Sequence, residues 1–265
     1  MIHSSLNELA KQVIAVAAHA AAFIRTERDG FQSENVEVKG VNDLVSYVDR
    51  ESERQIVEQL TRLLPNAGFI VEENSVTDKQ EWNWIVDPLD GTTNFVHGIP
   101  CFAVSIALEQ ANQIRLGVVH EVTRDECFSA VEGSGAFCNG DPIRVSANQR
   151  LADCLVGTGF PISNFSREDS FLGTMRALMR GTHGLRRIGS ASVDLCYVAC
   201  GRMDAFYEYN LNAWDVAAGA LIVKEAGGQV VDFRGGDNWL FDRECVATNS
   251  AVHQEFMDIL QSNFV

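Results

Sequence analysis

The chain is predicted to fold as an α+β half followed by an α/β half. Three observations carry this. Apolar residues recur at helical spacing from Leu6 to Ile24. Three β-rich runs separated by turn residues follow between Phe102 and Val131. From Leu151 onward, strand-like runs alternate with helical ones. The 265 residues suffice for a large core in one or two subdomains. The expected halves are residues 1–150 and 151–265.

Leu6, Leu9, Val13, Ala17, Ala20 and Ile24 place one apolar face on a helix predicted from about Ser5 to Arg28, which stops at Asp29-Gly30. Ala15 to Ala22 is apolar, but Lys11 and Arg25 bracket a stretch too short to span a bilayer, and no secretory pattern is expected. A polar loop is expected through Lys39-Gly40. A second helix should start near Asp49, face inward with Ile56, Leu60 and Leu63, and stop at Pro65. Strands are expected at about Gly68–Val71 and Trp84–Asp87, with Trp82 and Trp84 in the core. Phe102–Leu108, Leu116–Val122 and Glu126–Val131 read as an antiparallel meander. In the second half, strands are expected near Leu155–Thr158, Asp204–Tyr207, Gln229–Asp232 and Glu244–Ala247. Helices are expected near Arg167–Met179, Ser190–Cys200, Asp215–Glu225 and Ser250–Gln261.

The formal charge of −15 argues against a nucleic-acid surface, which needs a basic stripe. Seven cysteines, an odd number with no CxxC pair, read as buried free thiols in a reducing cytoplasm. Cys196 and Cys200 share a predicted helix face, but no histidine stands beside them to suggest zinc.

The run Trp84-Ile85-Val86-Asp87-Pro88-Leu89-Asp90-Gly91-Thr92-Thr93-Asn94-Phe95 is the most informative stretch. Two acids stand three residues apart where a strand gives way to a turn. Pro88 fixes the exit. Gly91 lets backbone approach a ligand. Thr92 and Thr93 suit the start of a helical turn, whose N–H groups favour phosphate. Phe69-Ile70-Val71 ends in Glu72-Glu73, and Asp215 opens an apolar helix closed by Gly227-Gly228. Three elements thus deliver carboxylates at their ends, where active sites tend to be built. Hard divalent cations prefer such oxygens. At about 5 Å and an effective dielectric of about 20, each like-charged pair costs on the order of 3 kcal/mol, so the cluster favours cation binding.

Asp87-Pro88-Leu89-Asp90-Gly91-Thr92 and Trp214-Asp215-Val216-Ala217-Ala218-Gly219 with Glu225-Ala226-Gly227-Gly228 resemble the motifs of the inositol monophosphatase family. These are metal-dependent, lithium-sensitive phosphatases, and the resemblance covers nearly the whole chain. Arg187-Ile188-Gly189-Ser190-Ala191 through Gly201-Arg202-Met203-Asp204-Ala205 is similar to bacterial members. The resemblance implies a layered αβαβα sandwich of the sugar-phosphatase type, a homodimer, and two to three magnesium ions per subunit. It assigns Glu72, Asp87 and the Leu89 carbonyl to a first metal, Asp87, Asp90 and Asp215 to a second, and Glu72 to a third through water. Glu72 and Thr92, with Asp49 as the acidic partner of Thr92, would handle the attacking water. Asp90, Gly91, Thr92, Gly189, Ala191, Glu208 and Asp215 would line the phosphate and substrate side. Two departures are Val71, where the family usually has Gly, and a slightly shorter loop from Lys39 to Asp49.

The resemblance implies hydrolysis of small phosphate monoesters; the charge and the short apolar stretch argue against a nucleic-acid and a membrane partner. Glu208 favours a polyol such as myo-inositol monophosphate, because a carboxylate accepts hydrogen bonds from hydroxyls. Histidinol phosphate, fructose 1,6-bisphosphate and nucleotide 3′-phosphate remain alternatives, as does a regulatory binding protein that retains the fold. Lys39 is open to two readings, phosphate ligand or solvated lysine. His97 reads as a loop residue or a neighbour of the site. Arg186 and Arg187 belong to a subunit interface or to the substrate side.

Overall fold

The apolar stripe from Leu6 to Ile24 is one face of a 29-residue helix, α1 (Ile2–Gly30), in the computed structural model of the chain. The structure describes residues 2–31, 36–40, 43–73, 79–161 and 164–264, with the side chains of 2–4 and 36–45 left aside. Lys39 is therefore placed by its backbone alone. The segment expected as a polar loop through Lys39-Gly40 is instead an antiparallel ribbon of β1 (Val36–Gly40) and β2 (Asp43–Ser46). Val36 and Val38 alternate with polar residues, a period-2 signal too short to stand out in a polar segment. Ser46 then caps α2 (Tyr47–Leu63). Its hydroxyl accepts from the Val48 N–H, and Asp49 at the third helical position accepts from the Ser46 N–H at 2.9 Å. This reciprocal cap places the helix start two residues ahead of the expected one.

The first sheet contains β3 (Gly68–Val71), β4 (Trp82–Asp90), β5 (Ala103–Gln110), β6 (Gln113–Glu121), β7 (Glu126–Val131), β8 (Ala136–Cys138) and β9 (Asp141–Pro142), in that spatial order. β3 and β4 run parallel, and the rest form the expected antiparallel meander, longer by two strands. The short helix α3 (Thr92–His97) joins β4 to β5.

The second sheet holds β10 (Leu155–Thr158), β11 (Gly184–Arg186), β12 (Ala205–Tyr209), β13 (Gly228–Val231) and β14 (Glu244–Asn249). Interleaved with them are α4 (Glu168–Gly181), α5 (Ala191–Ala199), α6 (Ala213–Glu225) and α7 (His253–Phe264). The order is β11-β10-β12-β14-β13. β10 is parallel to both neighbours, and β14 is antiparallel to both of its own. Alternating strands and helices thus give a mixed sheet rather than a wholly parallel one. The reason is local: no α-helix separates β13 from β14, so the chain turns back antiparallel. β11 had no strand signal of its own.

The layers read α1 and α2, first sheet, α5 and α6, second sheet, α4 and α7, an αβαβα sandwich. Each gap has its own core. Trp84 and Val86 face α1 and α2 while Ile85, between them, faces α5 and α6. Phe206 faces the central helices, and Tyr207 faces Phe171 and Phe256 on the far side. Strand alternation thus fills two cores from one strand. Each large side chain so buried contributes about 1.5–3 kcal/mol. Glu225 closes α6 by accepting the Gly133 and Gly135 N–H groups, both at 2.8 Å, which ties the helix end to the β7–β8 turn.

Candidate active site

In a regular strand, residues three apart point to opposite faces. Asp87 and Asp90 do not. Asp87 is level with Ser105 and Asp90 with Ala103, so β4 spends one residue more than β5 between them. This bulge turns both acids to one side, and Pro88 sits inside it, where a ladder N–H is not needed. Leu89 N–H donates to Asp87 Oδ1 at 2.9 Å, and Ser52 on α2 donates to the Pro88 carbonyl at 3.0 Å.

Asp215 arrives on the helical layer between the two sheets, at the third position of α6. There it accepts the Asn212 N–H at 2.6 Å in a second reciprocal cap. Ser105, opposite Asp87, donates to the Trp214 carbonyl at 3.2 Å and joins the two approaches. Oxygens of Asp87, Asp90 and Asp215 all lie within 4.8 Å of one another. Glu72 follows Val71, which is level with Val86, so it stands beside Asp87 from β3.

Burial is the main force raising the protonation range of all three aspartates. For Asp87 the charges of Glu72, Asp90 and Asp215 add to it, and the group lies well above the usual carboxylate range. Asp90 is raised less, because the Ser190 and Ser192 hydroxyls and the Ser192 N–H donate to it at 2.5–2.7 Å. Asp215 is pushed up to about 7 by burial and then by Asp90. Three hard oxygen donors that repel one another, two of them buried and Asp215 half-buried, suit a divalent cation.

Beside this cluster the Thr92 hydroxyl lies 2.8 Å from Asp49 Oδ1 and 3.0 Å from the Leu89 carbonyl. Ser46 Oγ donates to the other Asp49 oxygen at 2.7 Å. Gly91 has φ 94°, and a Cβ there would meet the Cys101 carbonyl at 3.1 Å and the Gly189 carbonyl at 3.2 Å. Glycine is required on both counts. Asn94 donates to the Cys101 and Ile188 carbonyls at 2.8 and 2.9 Å, which holds α3 against the loop before α5. Ala191 begins α5, and its N–H is among the donors that lower Asp90. Glu208, buried on β12, is pushed up to about 8 by burial and by the Asp215 charge, with Arg187 opposing.

A model of the inositol monophosphatase family matches residues 5–263. The chain belongs to that family. It is 41% identical over 247 residues to the inositol-1-monophosphatase of Mesorhizobium japonicum, covering 92% of this chain and 93% of that one. It is 44% identical over 227 residues to the putative Nus factor SuhB of Neisseria meningitidis serogroup B, covering 85% and 87%. The crystal structure of the extragenic suppressor protein suhB from Bartonella henselae superposes with a TM-score of 0.91 at 40% identity, covering 96% and 98%. The protein is thus a metal-binding phosphohydrolase of the inositol monophosphatase family.

Sequence reading of this inositol monophosphatase fold missed Ser190, Ser192, Asn94, Ser46 and Asn212. The two caps were accessible: Ser46-x-x-Asp49 and Asn212-x-x-Asp215 both carry the capping spacing. His97 is exposed at the end of α3. Arg187 is exposed, with its guanidinium 5.6 Å from the centre of the Phe160 ring. Cys196 and Cys200 are free thiols, as are the other five cysteines. No described helix is long and apolar enough to cross a membrane.

Proposed function

We propose that the protein is a magnesium-dependent phosphatase of myo-inositol monophosphates. The observation that carries this reading is the convergence of Asp87, Asp90 and Asp215 beside the Thr92–Asp49 pair. Glu72, Asp87, the Leu89 carbonyl, Asp90 and Asp215 would hold the cations. Bound magnesium would neutralise the phosphate, activate water and stabilise the leaving oxygen. Everything else falls to the chain. Thr92 commits its hydroxyl proton to Asp49, so its oxygen lone pairs are left to accept from a water. In this reading Glu72 is the carboxylate that takes that water's proton. The Gly91 and Thr92 N–H groups, at the first turn of α3, are the phosphate contacts of this reading. Gly189, Ala191 and Glu208 form the side facing the alcohol, and Glu208 accepts from its hydroxyls. Water attacks phosphorus, the phosphorus–oxygen ester bond breaks, and the departing alcohol takes a proton.

In this reading residues 1–150 supply Glu72, Asp87 and Asp90, and residues 151–265 supply Asp215 and Glu208. A homodimer in a reducing cytoplasm fits the family and the seven free thiols. The test is phosphate release from myo-inositol 1-phosphate, with and without magnesium, beside histidinol phosphate, fructose 1,6-bisphosphate and a nucleotide 3′-phosphate. Preference for the inositol ester and loss of turnover in chelator are expected. Preference for another ester moves the substrate and leaves the chemistry.

A second reading has one specific support, the similarity to proteins named as Nus factors. It adds a regulatory partner to the same fold. Binding to a transcription complex by an inactive Asp90→Asn variant is its test.

A further inference from the structure

Asp194, on α5, is a carboxylic group that the proposed reaction does not use. It is 1% exposed, and its Oδ1 has no hydrogen-bond partner among the described residues. Its N–H bonds the Ser190 carbonyl one turn back, so Asp194 lies one turn below the serine that holds Asp90. Two glycines of one strand end mark where Asp194 and Glu208 lie. A Cβ on Gly157 of β10 would fall 3.1 Å from Asp194 Oδ1. A Cβ on Gly159, two residues on, would fall 2.0 Å from the Glu208 carboxyl group. The missing side chains of one strand end leave the room that two carboxyl groups fill.

Two neighbouring buried carboxyl groups do not both ionise. A buried charge with an unpaired oxygen costs far more than a neutral acid. Asp194 is the deeper of the two, at 1% exposure against 9% for Glu208, and it has the orphan oxygen. The more tightly held proton therefore belongs on Asp194. A protonated carboxyl group has one O–H donor, and among the charges that act on Asp194 that of Glu208 raises it most.

We infer that Asp194 is a positioning residue for Glu208: its carboxyl O–H donates to the Glu208 carboxyl group and fixes that group toward the substrate hydroxyls. The inference rests on Glu208 being the polyol contact. Without the donor, the Glu208 carboxyl group loses its single orientation.

The experiment compares Asp194→Leu, Asp194→Asn and Glu208→Gln on myo-inositol 1-phosphate and on an aryl phosphate without ring hydroxyls. Asp194→Leu should raise KM for the inositol ester about tenfold or more, the scale of one hydrogen bond to a charged group, and change the aryl ester less than about threefold. Asp194→Asn, whose amide N–H donates from the same place, should stay within about threefold on both. Equal behaviour of Leu and Asn, or no effect of Leu, overturns the inference. If Asp194→Leu does not fold, infrared difference spectra of the magnesium-loaded protein against Asp194→Asn decide. The carbonyl stretch of a protonated carboxyl group should vanish with the substitution, and its absence from the parent overturns the inference. Glu208→Gln separates the two layers. Selective loss on the inositol ester with a silent Asp194→Leu sinks the Asp194 role alone. Equal loss on both esters sinks the Glu208 role and the inference with it.

Discussion

The Thr92 hydroxyl donates to Asp49 Oδ1 across 2.8 Å, joining the first turn of α3 to the first turn of α2. Asp49 is buried, and its other oxygen accepts from both the Ser46 hydroxyl and N–H. The acceptor is thus fixed before any substrate arrives.

Thr92→Val should keep the shape and remove the hydroxyl. Turnover should fall by about 10²–10⁴-fold, the range for loss of a positioned proton-transfer group. Stability should fall by about 1 kcal/mol, the usual worth of one hydrogen bond. Steady-state kinetics with a urea melt check both. Turnover within about tenfold of the parent contradicts the role.

Asp90→Asn should nearly abolish turnover and also shrink the rise in melting temperature that magnesium gives the parent. A ligand that binds the native state alone stabilises it by mass action, and a weakened site loses that gain. In chelator the variant should melt no lower than the parent, because one buried charge has gone. An undiminished magnesium shift refutes Asp90 as a ligand.

Metal-free stability should fall as pH rises. Asp215 is pushed up to about 7 and Glu208 to about 8, in both cases mainly by burial. Unfolded carboxyl groups titrate near about 4, so the native state holds protons that the unfolded chain has released. That stability is complete below about pH 4 and is lost as pH passes through about 7 to about 8. Between about pH 6.5 and about 8.5 the chelated protein should therefore melt progressively lower, and magnesium should flatten the decline. The lowered His253 titrates below this window. A flat or rising melting temperature in chelator refutes the assignment.

Gly159→Ala should fold, since the atom it displaces is the far end of the Glu208 side chain. The displaced carboxyl group should cost activity on the inositol ester and spare an aryl phosphate. Equal activity on both, unchanged from the parent, removes the claim that Glu208 is held by lack of space.

The acids were legible in the sequence because each stands at the end of an apolar run, and Asp87, Asp90 and Asp215 converge as that pattern implied. Most helices and strands were legible for the same reason. The bulge between Asp87 and Asp90 was not, because register belongs to the pairing with Ser105 and Ala103 and leaves no local mark. Ser190 and Ser192 were invisible as Asp90 donors, since only the packing of α5 against β4 brings them there. The β1–β2 ribbon was lost among polar residues. Asp194 looked like any helical acid until its burial was known.

The metal cluster draws two acids from β4 and one from α6, far later in the chain. Synthesis delivers the N-terminal part of a chain first. A nascent chain that ends after β9 carries Asp87 and Asp90 without Asp215. Full cation affinity is then expected only once α6 packs on the first sheet, so that products truncated before Asp215 should stay unloaded.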